Sequence, residues 1–160
     1  MDQEAKKKSL RMITYGLYIL TVKDGEELAA GTVNWLSQAS FTPPLIMVGV
    51  KKDSHLHTLI EKTQKFAISV LAQDQKNIAS DFFRPTQLDG GQLNGHPFEF
   101  SPDYQYPLLT ECPAWFEAKV TATVPGGDHT VYVAEVTDVG VRQADAIPLV
   151  MRDTGWFYGG

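Results

Sequence analysis

Two short runs hold the residues best suited to chemistry. The first is Thr32, Val33, Asn34, Trp35, Leu36, Ser37, Gln38, Ala39 and Ser40, where amide and hydroxyl side chains are mixed with apolar ones. That mixture suits a flat heteroaromatic ring with apolar faces and polar edges. The second is Lys51, Lys52, Asp53, Ser54 and His55, at the start of a predicted helix. A helix N-terminus offers unpaired N–H groups and the positive end of a dipole, which suits a phosphate. Two lysines and a serine beside it add charge and donors. By pattern alone the plainer reading, a polar strand end and a capped helix, is the more common one.

Other candidates are weaker. Gly127-Asp128-His129 puts an imidazole directly after turn residues, and in isolation reads as a hairpin with an incidental histidine. His55 and His57 would share a face on a strand, but at a helix start side chains two apart diverge. No third ligand lies nearby in sequence, so no metal site is expected. Cys112 is the only cysteine, which excludes an internal disulfide and suits a reducing compartment. It reads as a small buried hydrophobe. The glycine-rich dinucleotide fingerprint, the phosphate-binding loop and the nucleophile elbow are all missing.

The elements that must position these residues are mostly strands. Residues 15–22 are rich in Tyr, Ile, Leu, Thr and Val, and Lys23-Asp24-Gly25-Glu26 turns them into a second strand over 28–36. Pro43 and Pro44 close the next loop, and 45–50 reads as a buried strand. Leu56, Leu59 and Ile60 have helical spacing, with Asp53 or Ser54 as N-cap. Residues 66–71 return to strand character. Asp74 can cap a second helix carrying Ile78 and Phe82, and 84–107 reads as a long ordered loop. Ala118, Val120, Ala122 and Val124 alternate with polar neighbours, which predicts a half-buried strand. Its partner over 130–141 holds Val131, Tyr132, Val133 and Ala134 in a row, which predicts cover on both faces, one of them by a partner or a helix.

The fold expected is mainly β with short helices, a small closed or split barrel forming a single domain over 1–160. A length of 160 residues suits one such unit. The net charge of −5 argues against non-specific binding to nucleic acid or an anionic membrane. Lys6, Lys7 and Lys8 precede an apolar stretch, but Thr14, Tyr15, Gly16, Tyr18 and Thr21 interrupt it and no small-residue cleavage site follows. It is too short to span a bilayer, so the cytoplasm is the expected address.

Five runs together are more specific than any one. Gly16-Leu17-Tyr18-Ile19-Leu20-Thr21, the run from Thr32 to Ser40, Pro43-Pro44-Leu45, Phe66-Ala67-Ile68-Ser69-Val70-Leu71 and Gly127-Asp128-His129 occur in the order seen in flavin reductase-like proteins. The chain resembles that family over residues 10–158. It most resembles the C-terminal flavin reductase-like domain of cyanobacterial diflavin proteins, which shares the run from Trp35 to Ser40. High-molecular-weight rubredoxins carry a similar module. The other domains of those proteins have no counterpart here, so a module standing alone is expected.

The resemblance implies an FMN-binding split β-barrel that works as a homodimer. It places the 32–40 segment against the isoalloxazine and ribityl groups, and Lys51, Lys52, Ser54 and His55 around the phosphate. Many relatives have a threonine hydroxyl at the position of Leu56, so here Ser54, His55 or the lysines must compensate. It also implies that His129 lies near the flavin's open face and helps place a nicotinamide. The activity implied is NAD(P)H-dependent flavin reduction, with reduced flavin going to oxygen or a redox protein partner. The flavin does that chemistry, so no acid–base constellation is needed. The alternative is a flavoredoxin-like electron carrier, in which Trp35 crowds the nicotinamide's place. An oxidase like pyridoxamine-phosphate oxidase is a more distant reading, because its basic phosphate-binding residues are not recognisable here.

Overall fold

The computed structural model describes residues 1–160. Helix α1 (Gln3–Leu10) is capped by the Asp2 carboxylate, which accepts from the Glu4 and Ala5 N–H groups, and buries none of its residues. The hairpin of β1 (Tyr18–Asp24) and β2 (Glu27–Val33) turns at Gly25, whose φ of +60° suits a residue without a Cβ. A second hairpin, β3 (Leu36–Ser40) and β4 (Leu45–Lys51), contains a cis Thr42–Pro43 peptide. Then come α2 (His55–Thr63), β5 (Lys65–Val70) and α3 (Lys76–Asp81). Four short strands follow: β6 (Leu88–Asp89), β7 (Gln92–Leu93), β8 (His96–Phe100) and β9 (Pro107–Leu109). The long hairpin of β10 (Ala114–Val124) and β11 (His129–Val141) precedes α4 (Met151–Thr154).

Seven strands form one antiparallel sheet in the order β2-β1-β5-β10-β11-β4-β3. Its two edges, β2 and β3, are consecutive in the chain, with only Asn34 and Trp35 between them. The sheet therefore curls until its edges are joined by covalent backbone instead of a ladder. This open wall is the split of the barrel.

Leu20, Val22, Val48, Val50, Phe66, Ile68, Ala118, Tyr132 and Ala134 fill the interior, and α2 adds Leu56, Leu59 and Ile60. A second apolar cluster unites Leu17, Ile19, Leu71, Ile78, Phe82, Leu93, Leu109, Cys112 and Leu149. Ile19 and Leu20 point into different clusters, so the middle of β1 is buried on both faces.

Several expectations need correction. The first strand begins at Tyr18, and the second stops at Val33, because Leu36 has crossed to the opposite edge. Residues 84–107 are not a loop throughout. They hold β6 and β7, two residues each and too short for alternation to reveal, and β8 and the start of β9, which Pro97 and Pro107 disguise. Asp74 does not cap α3. Gln75 precedes it without a side-chain cap, its Oε1 instead accepting from the Ala72 N–H at 2.8 Å. The alternation of β10 fails after Val120, where a register shift leaves Ala122 and Val124 exposed. Along β11, Tyr132 and Ala134 are buried while Val131 and Val133 keep partial exposure, so nothing in the chain itself fully covers the outer face.

Candidate active site

The split brings the first two runs together. The end of β2, the end of β4 and the start of α2 wall a cavity of about 210 Å³, lined among others by Thr32, Val33, Asn34, Gly49, Lys51, Ser54 and Leu56. A second, more open cavity of about 590 Å³ shares Gly49 with it and is lined by Trp35, Ser37, Met47, Asp128, His129 and Val131 among others. Strand pairing explains the convergence. His129 lies directly opposite Lys51 in the β11–β4 ladder, which puts the Gly-Asp-His turn beside the α2 start.

Two donors there lack acceptors. Asn34 Nδ2 and Trp35 Nε1 are buried without any hydrogen-bond partner. A buried unsatisfied group costs about 1–3 kcal/mol, so each marks a place where an acceptor belongs. A heteroaromatic ligand with carbonyl oxygens and ring nitrogens supplies such acceptors, and the residues present therefore fit a flavin ring.

The helix start is built differently from the sequence expectation. Ser54 Oγ accepts from the His57 N–H at 3.1 Å and donates to the Lys51 carbonyl at 2.8 Å, so its hydroxyl is committed to capping α2. The first-turn N–H groups of His55 and Leu56 have no intrahelical acceptors and remain available, with Lys51 alongside. Lys52 turns away, its Nζ donating to the Pro125 carbonyl at 2.7 Å. His55 also turns away, its Nε2 lying 2.9 Å from Glu27 Oε1. That hydrogen bond is the main reason the Glu27 carboxyl lies below the usual range. Leu56 packs against Gly31, where a Cβ would lie only 2.8 Å from Leu56 Cδ1.

The 32–40 run is divided between three environments. Thr32, Val33 and Asn34 line the smaller cavity, although the Thr32 hydroxyl is committed to the Ala79 carbonyl at 2.7 Å. Trp35, Leu36 and Ser37 line the larger one. Gln38, Ala39 and Ser40 lie on the edge strand and line neither. The His55–His57 pair does not converge, because His57 Nε2 meets Thr130 Oγ1 at 2.8 Å while His55 meets Glu27.

His129 sits in a cage of its own. Its Nδ1 is 2.8 Å from Asp128 Oδ1, its Nε2 is 2.7 Å from the Tyr158 hydroxyl, and its ring packs 4.5 Å from that of Trp35. The hydrogen bond from His129 is the largest cause holding the Asp128 carboxyl below its usual range. A carboxylate only accepts, so Nδ1 carries a proton, and whenever the ring is neutral Nε2 accepts from Tyr158. Burial, with the Asp128 charge in second place, raises the Tyr158 phenol. Tyr158 and Phe157 were not anticipated as site residues. Their only signal in the sequence is an aromatic run between glycines, Gly155-Trp156-Phe157-Tyr158-Gly159.

A family model described as flavin reductase like domain matches residues 10–159. The chain belongs to that family. Among relatives of this flavin reductase-like domain is the NADH-dependent flavin reductase StyB of Pseudomonas fluorescens, 29% identical over 90% of this chain and 83% of that protein. Diflavin flavoprotein A 1 of Synechocystis is 29% identical over 95% of the chain, which spans only 27% of that protein's length. The reductase component of a flavin-dependent trigonelline monooxygenase from Acinetobacter baylyi is 30% identical over 85% of the chain and 44% of its own length. Among solved structures, an NADH:FAD oxidoreductase of Streptomyces globisporus superposes with a TM-score of 0.81 at 25% identity, over 93% of this chain and 88% of its own. No helix of the domain is long and apolar enough to cross a membrane.

Proposed function

We propose that this flavin reductase-like domain binds FMN and reduces it with NADH or NADPH. The observation that carries the reading is the pair of buried, unpartnered donors of Asn34 and Trp35, set beside a helix start with free N–H groups. When bound, the flavin supplies the redox chemistry, accepting at N5 the hydride given up by the nicotinamide C4. The protein's own part is placement. Asn34 and Trp35 donate to the ring edge, while Lys51 and the first-turn N–H groups of α2 take the phosphate. His129, its tautomer fixed by Asp128, orients the nicotinamide from the larger cavity. The names of relatives that reduce flavin with NADH, or serve a monooxygenase, support this reading and suggest oxygen or an oxygenase as the taker of reduced flavin. The lone buried thiol fits a cytoplasmic address.

Equilibrium dialysis against FMN at roughly 100 μM should show stoichiometric uptake, and its absence would sink the proposal. Anaerobic mixing of the loaded protein with NADH and NADPH should then bleach the flavin.

One observation favours an electron carrier instead. Trp35, His129 and Tyr158 pack on one another at the wall of the larger cavity, where they would crowd a nicotinamide. A protein that holds FMN but stays yellow with both nicotinamides would be that carrier.

A further inference from the structure

Tyr158 links the two cavities by one hydrogen bond. It lines the smaller one, while its hydroxyl reaches Nε2 of His129, which lines the larger. Its ring stands edge-on to Trp35, with centroids 5.1 Å apart. Because the Nδ1 proton is committed to Asp128, the Nε2 lone pair is the one hydrogen-bonding position the neutral imidazole has left. Tyr158 fills it. A nicotinamide held by His129 must take that same position, through the N–H of its carboxamide. We infer that Tyr158 competes with the nicotinamide for His129 and so sets how tightly this domain holds its hydride donor. The inference rests on the reductase reading above.

The local build suits an exchange of partners. Tyr158 lies in a segment with no helix or strand, and it follows Gly155 and precedes Gly159, whose φ angles are +77° and +82°. The segment is anchored at Trp156, whose ring packs 5.0 Å from that of Phe83, and beyond it by the Arg11 guanidinium 4.3 Å over the Phe157 ring and a long Arg11 bond to the Gly159 carbonyl at 3.5 Å. Its fit against Trp35 is close, since a Cβ on Gly159 would stand 2.8 Å from Trp35 Cζ2. Binding of the hydride donor thus trades one hydrogen bond for another. A ligand without a donor for Nε2 loses the first bond and gains nothing, so the tyrosine also selects for the carboxamide.

The test compares Tyr158→Phe and Gly159→Ala with wild type, all loaded with FMN. Tyr158→Phe deletes only the competing hydroxyl. Gly159→Ala pushes the segment off Trp35 by a different atom. Calorimetric titration with NAD⁺ and the KM for NADH should both improve about threefold or more in each variant, the worth of one net hydrogen bond. In a His129→Ala background, Tyr158→Phe should change neither. The melting temperature is the control, because a merely structural role for Tyr158 would lower it and weaken NAD⁺ binding instead of tightening it. Unchanged or weaker NAD⁺ binding by Tyr158→Phe overturns the inference, as does an equal gain in the His129→Ala background. A wild type that binds no NAD⁺ and takes no hydride from NADH or NADPH overturns the reductase reading, and this inference with it. A wild type that does both, beside variants that do not shift, overturns the inference alone.

Discussion

At the scale of single residues, His129 is the clearest division between enzyme and carrier. Its imidazole is oriented by Asp128 at Nδ1, and Nε2, bonded to Tyr158, is the position through which we propose that it holds a nicotinamide. Misplacing a hydride donor by about 1 Å costs on the order of 100-fold in rate. His129→Ala should slow flavin bleaching by NAD(P)H about tenfold or more in stopped flow, with FMN affinity nearly unchanged. The Asp128 carboxyl, being depressed, keeps its hold on the ring as pH falls through the usual carboxylate range and loses it only below. Cys112 is the opposite kind of residue. Burial pushes its thiol up to about 12, and it lies in the second core cluster away from both cavities. The thiolate is the reactive form, so a disulfide reagent at about pH 8 should leave the native protein unlabelled and react once urea exposes the chain. Labelling of the folded protein at a free-thiol rate would contradict this burial.

At the scale of elements, the start of α2 has two duties that mutation can separate. Ser54 caps the helix, and Ser54→Ala should cost about 1 kcal/mol, lowering Tm by about 2–4 °C in a thermal melt. Lys51 lines the smaller cavity while Lys52 is engaged with the Pro125 carbonyl. Lys51→Ala should weaken FMN about tenfold or more while sparing riboflavin, the scale of one charge-assisted hydrogen bond of about 1.5–3 kcal/mol. Lys52→Ala should spare both ligands. Equal losses for FMN and riboflavin with Lys51→Ala would place the phosphate elsewhere.

At the scale of the whole molecule, the outer face of the sheet is short of cover. Val131 and Val133 of β11 keep partial exposure, and Met47 on the neighbouring β4 is 42% exposed, as is Phe41 at 88% in the adjoining hairpin turn. We take a second copy to be the cover, because a two-fold pair is the commonest closed arrangement. Sedimentation should give twice the monomer mass at micromolar concentration. A monomer that still holds FMN would show that the site is complete in one chain.

Much of this protein was legible in the order of its residues. The strand-rich pattern, the Gly25 turn, the α2 face of Leu56, Leu59 and Ile60, and a cap at Asp53 or Ser54, which the structure gives to Ser54, are local consequences of period and propensity. So was the family, because its runs lie in order along the chain. Local pattern failed where partners are distant. Nothing local showed that Asn34 and Trp35 cross between opposite sheet edges, leaving two donors buried without acceptors. Nothing local told Lys51 from Lys52, or turned His55 toward Glu27, since strand register and the β10–β11 turn decide which ends reach the cavity. Tyr158 meets His129 across 29 positions of sequence, a contact that only the closed path of the chain could create. Residue types and spacing thus determined which chemistry was possible, while tertiary packing decided which of those side chains still had a free valence to perform it.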